Sequence, residues 1–460
     1  MRKIAVVGAG QAGLLAAHAL HARDYEVTLY SDKTPEDFLE RSRPTGVAAR
    51  FDMALEFERE LGLEHWGDRA PRGDGVHLTF CPKEGNQLVT LLGRLSRSRF
   101  FLAIDLRMQS ATWMDELVKR GGNVEIESVS VERLDEIAAH HDLTLVAAGR
   151  GEIMKLFPRD ETLSVYRKPQ RFLAMVCVTG VPMQLPYAPW FLPVKFNFFA
   201  PYGEAFWVPW YSKDHQPSWG MLWEAKAGGP LDRFRDCKSA QQVLDTGRQV
   251  NRELVPWDDE LFAHATPCDE NSWLVGQLTP EVRQVVGTLP SGRQVMALGD
   301  TAQSLDPIGG MGANNGNKMV RTVVDSIVGH GERPLDANWM RQTQARFWQR
   351  HHWIDDFNNL LLEPITPAGR DLLIAQYGST ARAEDDSPQQ KLADEFIENF
   401  NDPMQLTPAF QNRRRAHDEI KRAFGTRSAL PPLAGGATRV AAGQLRQRLG
   451  RGGLVGMPPS

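Results

Sequence analysis

Apolar residues run without interruption through Ile4-Ala5-Val6-Val7, which predicts a short strand covered on both faces, because a half-covered strand would alternate. Residues 14–20, rich in leucine and alanine, predict a helix, and Glu26-Val27-Thr28-Leu29-Tyr30 predicts a second strand at βαβ distance. The pattern returns at Gln294-Val295-Met296-Ala297-Leu298, another buried strand, and from Ala313 onward the apolar positions take the period of a long helix. Between these regions, residues 187–223 are dense in aromatics, and parts of the stretch alternate with small or polar residues as antiparallel strands do. Most of those aromatics are expected to pack one face of a sheet, with a few left to line a pocket. Helical patterns mixed with charge fill residues 335–425, which could cap the sheet or join a homodimer. Residues 426–460 are rich in Gly, Pro and Arg without a single acid, the composition of a disordered tail.

At 460 residues the chain fits one large or two merged α/β domains. Its 42% hydrophobic and 24% charged residues with a net charge of -4 argue against nucleic acid or an acidic membrane surface as partner. Cys81, Cys177, Cys237 and Cys268 are too scattered for a zinc site or a disulfide scaffold, so a reducing cytoplasm is expected. His351 and His352 lack carboxylate or cysteine partners at metal spacing, and no metal is expected. No apolar run reaches the roughly 18 to 20 residues that cross a bilayer, and glycines interrupt the short stretch after Met1-Arg2-Lys3, so neither a membrane span nor an export signal is read.

The first strand and helix enclose Gly8-Ala9-Gly10-Gln11-Ala12-Gly13, the GxGxxG spacing. Here the first glycine permits a tight turn, the second lets the backbone approach a pyrophosphate, and the third lets helix and strand pack closely. The phosphate charge then faces free N–H groups at a helix start, with Gln11 and Ala12 in the same turn. The acidic ribose ligand usual at the end of the second strand is replaced by Ser31, with Asp32 one place later. By itself the motif does not choose between FAD and NAD.

A second glycine turn follows the strand near residue 295. Gly299-Asp300 comes directly after it, and Pro307, Gly309, Gly310, Met311 and Gly312 lead into the long helix. A carboxylate at a strand end can bind a polyol hydroxyl, and free N–H groups at a helix start around Gly312, Ala313 and Asn314 can stabilise negative charge developing on a ring. The bland alternative is a capped loop with Asp300 as a capping residue.

This pair of motifs resembles the FAD-binding parts of the flavoprotein monooxygenases of the p-hydroxybenzoate hydroxylase fold. The resemblance implies that the N-terminal glycines hold the ADP pyrophosphate, Gly299-Asp300 the ribityl chain and pyrophosphate, and the helix start at Gly312 the pyrimidine end of the flavin. Three further stretches narrow it: "IDLRMQSATWMDELVKRGG" (104–122), with Arg107 at a helix start, "HDLTLVAAGRGEIMKLF" (141–157), with Gly149 in its turn, and "KPQRFLAMVCVTGV" (168–181). With "LGDTAQSLDPIGGMGANNG" and "LADEFIENFNDP" (392–403) they are similar to the oxygenase component of styrene and indole monooxygenases, in the family's order, to about residue 410.

That resemblance implies a two-component enzyme. A separate NAD(P)H-dependent flavin reductase supplies FADH2, O2 adds to the reduced flavin as a C4a-hydroperoxide, and one oxygen atom passes to an apolar aromatic or alkene substrate by epoxidation or hydroxylation. Where single-component hydroxylases of the fold carry an Asp-Gly pair tied to NADPH use, this chain has Ala148-Gly149-Arg150. Only about fifty residues follow the resemblance, too few for a fused reductase. In "RSRPTGVAARFDMAL" (41–55), which corresponds to the stretch beside flavin and substrate, Thr45 and Ala49 stand where the family pattern has an asparagine and a histidine. The resemblance implies a styrene- or indole-like reaction with Thr45 near the chemistry; if these two positions place the substrate, it is neither styrene nor indole. Arg43 or Arg50 could hold a flavin phosphate or an acidic substrate.

The expected fold is α/β. A Rossmann-like FAD-binding domain (1–165 and 285–330) carries an inserted, mainly antiparallel β-sheet substrate domain (166–284), followed by a helical C-terminal region (331–425) and the tail. Two alternatives stand beside the monooxygenase: another FAD-dependent oxidoreductase of the fold, such as a halogenase, whose WxWxIP motif is absent, and a non-catalytic FAD-binding protein.

Overall fold

The computed structural model describes residues 2–81, 87–96, 99–148, 151–199 and 202–449. The chain divides into two compact units, one of residues 1–66, 104–170 and 278–355, the other of residues 67–103, 171–277 and 356–460.

The first unit is built on a six-stranded sheet. Lys3–Val7 lies between Glu26–Ser31 and Leu143–Val146 and is parallel to both. Asn123–Ile126 extends the parallel pairing on one side and Gln294–Ala297 on the other, and Val286–Thr288 adds an antiparallel edge. Ile4, Ala5 and Val6 have no exposure to solvent, which explains the unbroken apolar run at this strand. The helices Gln11–His21 and Met311–His330 follow directly on the two glycine turns.

The second unit holds an eight-stranded sheet whose central strands are Phe172–Thr179, Pro217–Ala225, Gly203–Tyr211 and Pro193–Phe199. These pair antiparallel, and Pro193–Phe199 is parallel to Gly75–Cys81, which forms a hairpin with Val89–Arg94. One face is a dense core in which Trp207, Trp219 and Trp223 are fully buried. The Ala240–Leu254 helix packs there so closely that a Cβ on Gly247 would lie 2.3 Å from the Trp223 ring.

The boundaries differ from the sequence reading in several places, and residues 331–355, read with the C-terminal helical region, belong to the first unit. The paired strands Gly75–Cys81 and Val89–Arg94 belong to the second sheet, which the first of them joins beside Pro193–Phe199. The stretch read as a disordered tail forms a helix, Leu430–Arg448. Its small residues make a packing face: a Cβ on Gly436 would sit 2.2 Å from the Ile374 carbonyl oxygen, and Arg439 Nε donates to the Tyr377 carbonyl at 2.8 Å. Composition suggested absence of structure where the chain uses glycine for helix contact.

Candidate active site

The first glycine turn has no room for side chains where the sequence leaves them out. A Cβ at Gly8 would lie 2.6 Å from the Ala147 carbonyl oxygen, and one at Gly13 only 1.9 Å from the Gly8 carbonyl oxygen. At Gly10, by contrast, a Cβ would meet open space. Gly10 caps the Gln11–His21 helix without any side-chain hydrogen bond, and no acid occupies the first turn. The N–H groups of this helix start therefore face a space that an anion can enter.

The second motif comes to the same place. Gly299 has φ +60°, and a Cβ on it would lie 2.7 Å from the Cβ of Ala12; Gly316, one turn into the long helix, is also next to Ala12. Asp300 is exposed to water, and packing around its carboxyl raises the pKa by desolvation while Arg283 opposes the rise. Arg283 also donates to the Asp300 backbone carbonyl at 3.0 Å. The Met311–His330 helix starts at Gly310 without a side-chain cap and without an acid in its first turn, and both Gly310 and Gly312 border open space. Pro307 opens the short turn before it, where Asp306 Oδ1 accepts from Ile308 N, and Met311 is buried.

The run Asn314, Asn315, Asn317 explains how this turn is held. Asn314 Nδ2 donates to the Ala49 and Gly310 carbonyls at 2.8 Å each, and its Oδ1 accepts from Phe51 N at 2.8 Å. The Asn314 amide is thus spent on backbone, and what it can offer chemically is the shape of the turn, while Gly312 and Ala313 stand half-exposed at the helix start. Asn315 Nδ2 donates to Gln303 Oε1 at 3.0 Å. Asn317 bonds to Gln11 and Glu58, and Glu58 pairs with Arg50 at 2.7 Å with both side chains fully buried. Arg50 therefore lies in the interior, which argues against the anion-binding role weighed for it. Burial pushes the Glu58 pKa up, and Arg50 and Asn317 counter it.

Other residues read from the sequence lie apart from these bonds. Ser31 is buried, and its hydroxyl is used in its own turn, donating to the Lys33 carbonyl at 2.6 Å, while Asp32 is exposed beside it. Arg43 and Thr45 are exposed in the loop before Ala49. Arg107 is buried and bound through Nε and Nη2 to the Asp105 carboxylate at 3.0 and 2.7 Å. Gly149 lies outside the described residues. Sequence reading missed Asn317 and Glu58; the available signal was three asparagines in one helical stretch, where asparagine is otherwise unfavourable unless its amide has a task.

In the second unit, the sheet face opposite the tryptophan core carries a row of phenylalanines. Phe80 stacks on Phe198, Phe198 on Phe196, and Phe196 on Phe206, with ring centroids 5.3, 4.8 and 4.6 Å apart. Phe80 and Phe198 remain half-exposed. On the core side, Lys195 is fully buried and donates to Thr79 Oγ1 and Asn197 Oδ1 at 2.7 and 2.8 Å, and desolvation lowers its pKa to about 8. Among the described residues, no cluster of potential metal ligands and no helix long and apolar enough to cross a membrane is found.

Residues 149–260 match the family described as "Styrene monooxygenase A putative substrate binding domain". Over 421 residues, covering 90% of this chain and 96% of the relative, the chain is 26% identical to styrene monooxygenase StyA of Pseudomonas fluorescens, and equally to that of a second Pseudomonas. The chain is styrene-monooxygenase-like. Among solved structures, it resembles the flavin-dependent brominase Bmp2, with a TM-score of 0.56 and 13% identity over 97% of this chain and all of that one. It also resembles 2-methyl-3-hydroxypyridine-5-carboxylic acid oxygenase, with a TM-score of 0.54 and 14% identity over 86% of this chain and 96% of that one. The fold of this styrene-monooxygenase-like chain is thus that of the p-hydroxybenzoate hydroxylase-like flavoproteins.

Proposed function

We propose that the chain is the oxygenase of a two-component monooxygenase. It takes FADH2 from a separate NAD(P)H-dependent flavin reductase and, with O2, transfers one oxygen atom to an apolar aromatic or alkene substrate. The observation that carries this reading is the meeting of two uncapped, acid-free helix starts around Ala12, in a chain similar to styrene monooxygenase over 90% of its length.

FAD fits the residues present. The open space at Gly10 accepts the pyrophosphate, the exposed Asp300 carboxylate can take a ribityl hydroxyl, and the helix start at Gly312 and Ala313 can face the flavin ring. When bound, reduced FAD supplies the activation of O2. The chain's own part is to hold and shield. The helix start favours negative charge on the ring by about 0.3–2 kcal/mol, and the stacked row from Phe80 to Phe206 offers an apolar aromatic wall for a substrate. Thr45 is exposed, and Ala49 is buried with its carbonyl engaged by Asn314, so neither supplies the amide and imidazole of the family pattern. A reducing cytoplasm, in which Cys81, Cys177, Cys237 and Cys268 stay as thiols, belongs to the same reading.

The test combines the protein with FAD, NADH and a flavin reductase, using a panel of aromatic alkenes. Oxygenated product that requires the reductase, with negligible NAD(P)H oxidation by the chain alone, is the expected result. NAD(P)H oxidation by the chain alone at the coupled rate would refute the two-component assignment.

A further inference from the structure

We propose that Asn317 is a positioning residue that ties the nucleotide-side turn to the ring-side turn, so that the two halves of FAD are bound as one cooperative site. The inference rests on the flavin reading above and adds to it a residue that touches neither glycine turn's backbone.

Asn317 lies one turn beyond Ala313 in the Met311–His330 helix, and its side chain is buried. All its amide groups are used, and on two different elements. Oδ1 accepts from Gln11 Nε2 at 2.6 Å, while Nδ2 donates to Glu58 Oε1 at 2.8 Å and to the Ala54 carbonyl at 3.1 Å. Gln11 is the first residue of the nucleotide-side helix, and its Nε2 also donates to the Ala313 carbonyl at 3.2 Å, in the first turn of the ring-side helix. Glu58 is anchored in turn by Arg50, on the segment whose backbone at Ala49 and Phe51 is gripped by Asn314, which also holds Gly310. The bonds therefore form a continuous path from Gln11, inside the GxGxxG turn, to the turn assigned to the ring. An apolar contact would tolerate sliding of the two helix starts; a buried amide with both donors and its acceptor engaged fixes their spacing.

An architectural role alone would use the same bonds to hold helices together and would leave cofactor affinity unchanged. The two are separated by Asn317→Ala, Gln11→Met and the double variant, with dissociation constants measured for anaerobically reduced FAD and for ADP, which lacks the ring. Thermal unfolding of the cofactor-free proteins runs alongside. Asn317→Ala is expected to weaken both reduced FAD and ADP about tenfold, although Asn317 sits on the ring-side helix. The double variant should be no more than about twofold worse than the weaker single, because both remove the same link. Unchanged ADP affinity in Asn317→Ala, or losses in the double variant that multiply to about a hundredfold, would overturn the proposal. If Asn317→Ala does not fold, Asn317→Ser carries the same comparison. Failure of the wild-type protein to bind either probe would instead refute the flavin reading, and the inference with it.

Discussion

Ala12 and Gly299 meet so closely that a Cβ on the glycine would lie 2.7 Å from that of the alanine, which brings two turns far apart in sequence into one contact. Gly299 also has φ +60°, a conformation disfavoured with a side chain. Gly299→Ala should therefore destabilise the protein by about 2–4 kcal/mol and abolish FAD binding. Urea unfolding and flavin titration check both; an unchanged midpoint would show that the contact can relax.

Gly10 and Gly13 separate binding from folding. A Cβ at Gly10 enters open space, whereas one at Gly13 strikes the Gly8 carbonyl. Gly10→Ala should leave the cofactor-free unfolding midpoint close to wild type while lowering FAD affinity at least tenfold, because the methyl occupies the space assigned to the pyrophosphate. Gly13→Ala should lower the midpoint itself. Equal effects of the two on stability would contradict the assignment.

His18 gives the first unit a pH dependence. Its Nε2 lies 2.8 Å from the Trp113 carbonyl and Nδ1 is buried without a partner, so the neutral ring fits and burial pushes the pKa down to about 4. The unfolded chain protonates near 6.5 and the folded one does not, so this contribution is complete above pH 6.5 and is lost as pH falls from 6.5 to 4. Up to about 3 kcal/mol is at stake. Comparing unfolding free energies at pH 7 and pH 5 for wild type and His18→Gln should show a smaller fall for the variant; equal falls would place the dependence elsewhere.

Aromatic residues in the second unit should divide by face. Trp223 is fully buried, and Trp223→Ala is expected to cost about 3–5 kcal/mol of stability. Phe198, half-exposed in the stacked row, should behave differently: Phe198→Ala is expected to raise KM for an apolar aromatic substrate roughly 2- to 10-fold with little change in the unfolding midpoint. A KM unaffected by Phe198→Ala would remove this wall from the substrate site.

Much of the architecture was legible because burial leaves periodic traces. The unbroken run at Ile4–Val7 reads as a central parallel strand, and both glycine motifs read as strand-to-helix turns, as the structure has them. What could not be read was how each buried charged side chain is used. Arg50 with Glu58 and Arg107 with Asp105 form buried pairs, and charge pattern alone does not tell an arginine paired in this way from one turned to a ligand. The Leu430–Arg448 helix was hidden because its glycines and alanines serve a neighbouring helix, and composition alone does not distinguish that use from disorder.

On the reading proposed above, this chain uses reduced FAD to activate O2 without needing NAD(P)H itself. It is tested most directly by mixing the protein with anaerobically reduced FAD, adding O2 in a stopped-flow spectrometer and following the flavin absorbance. A persistent spectrum that is neither reduced nor oxidised flavin is expected, decaying faster when an oxygen-accepting substrate is present. Immediate return to oxidised FAD with an equivalent of hydrogen peroxide would contradict it.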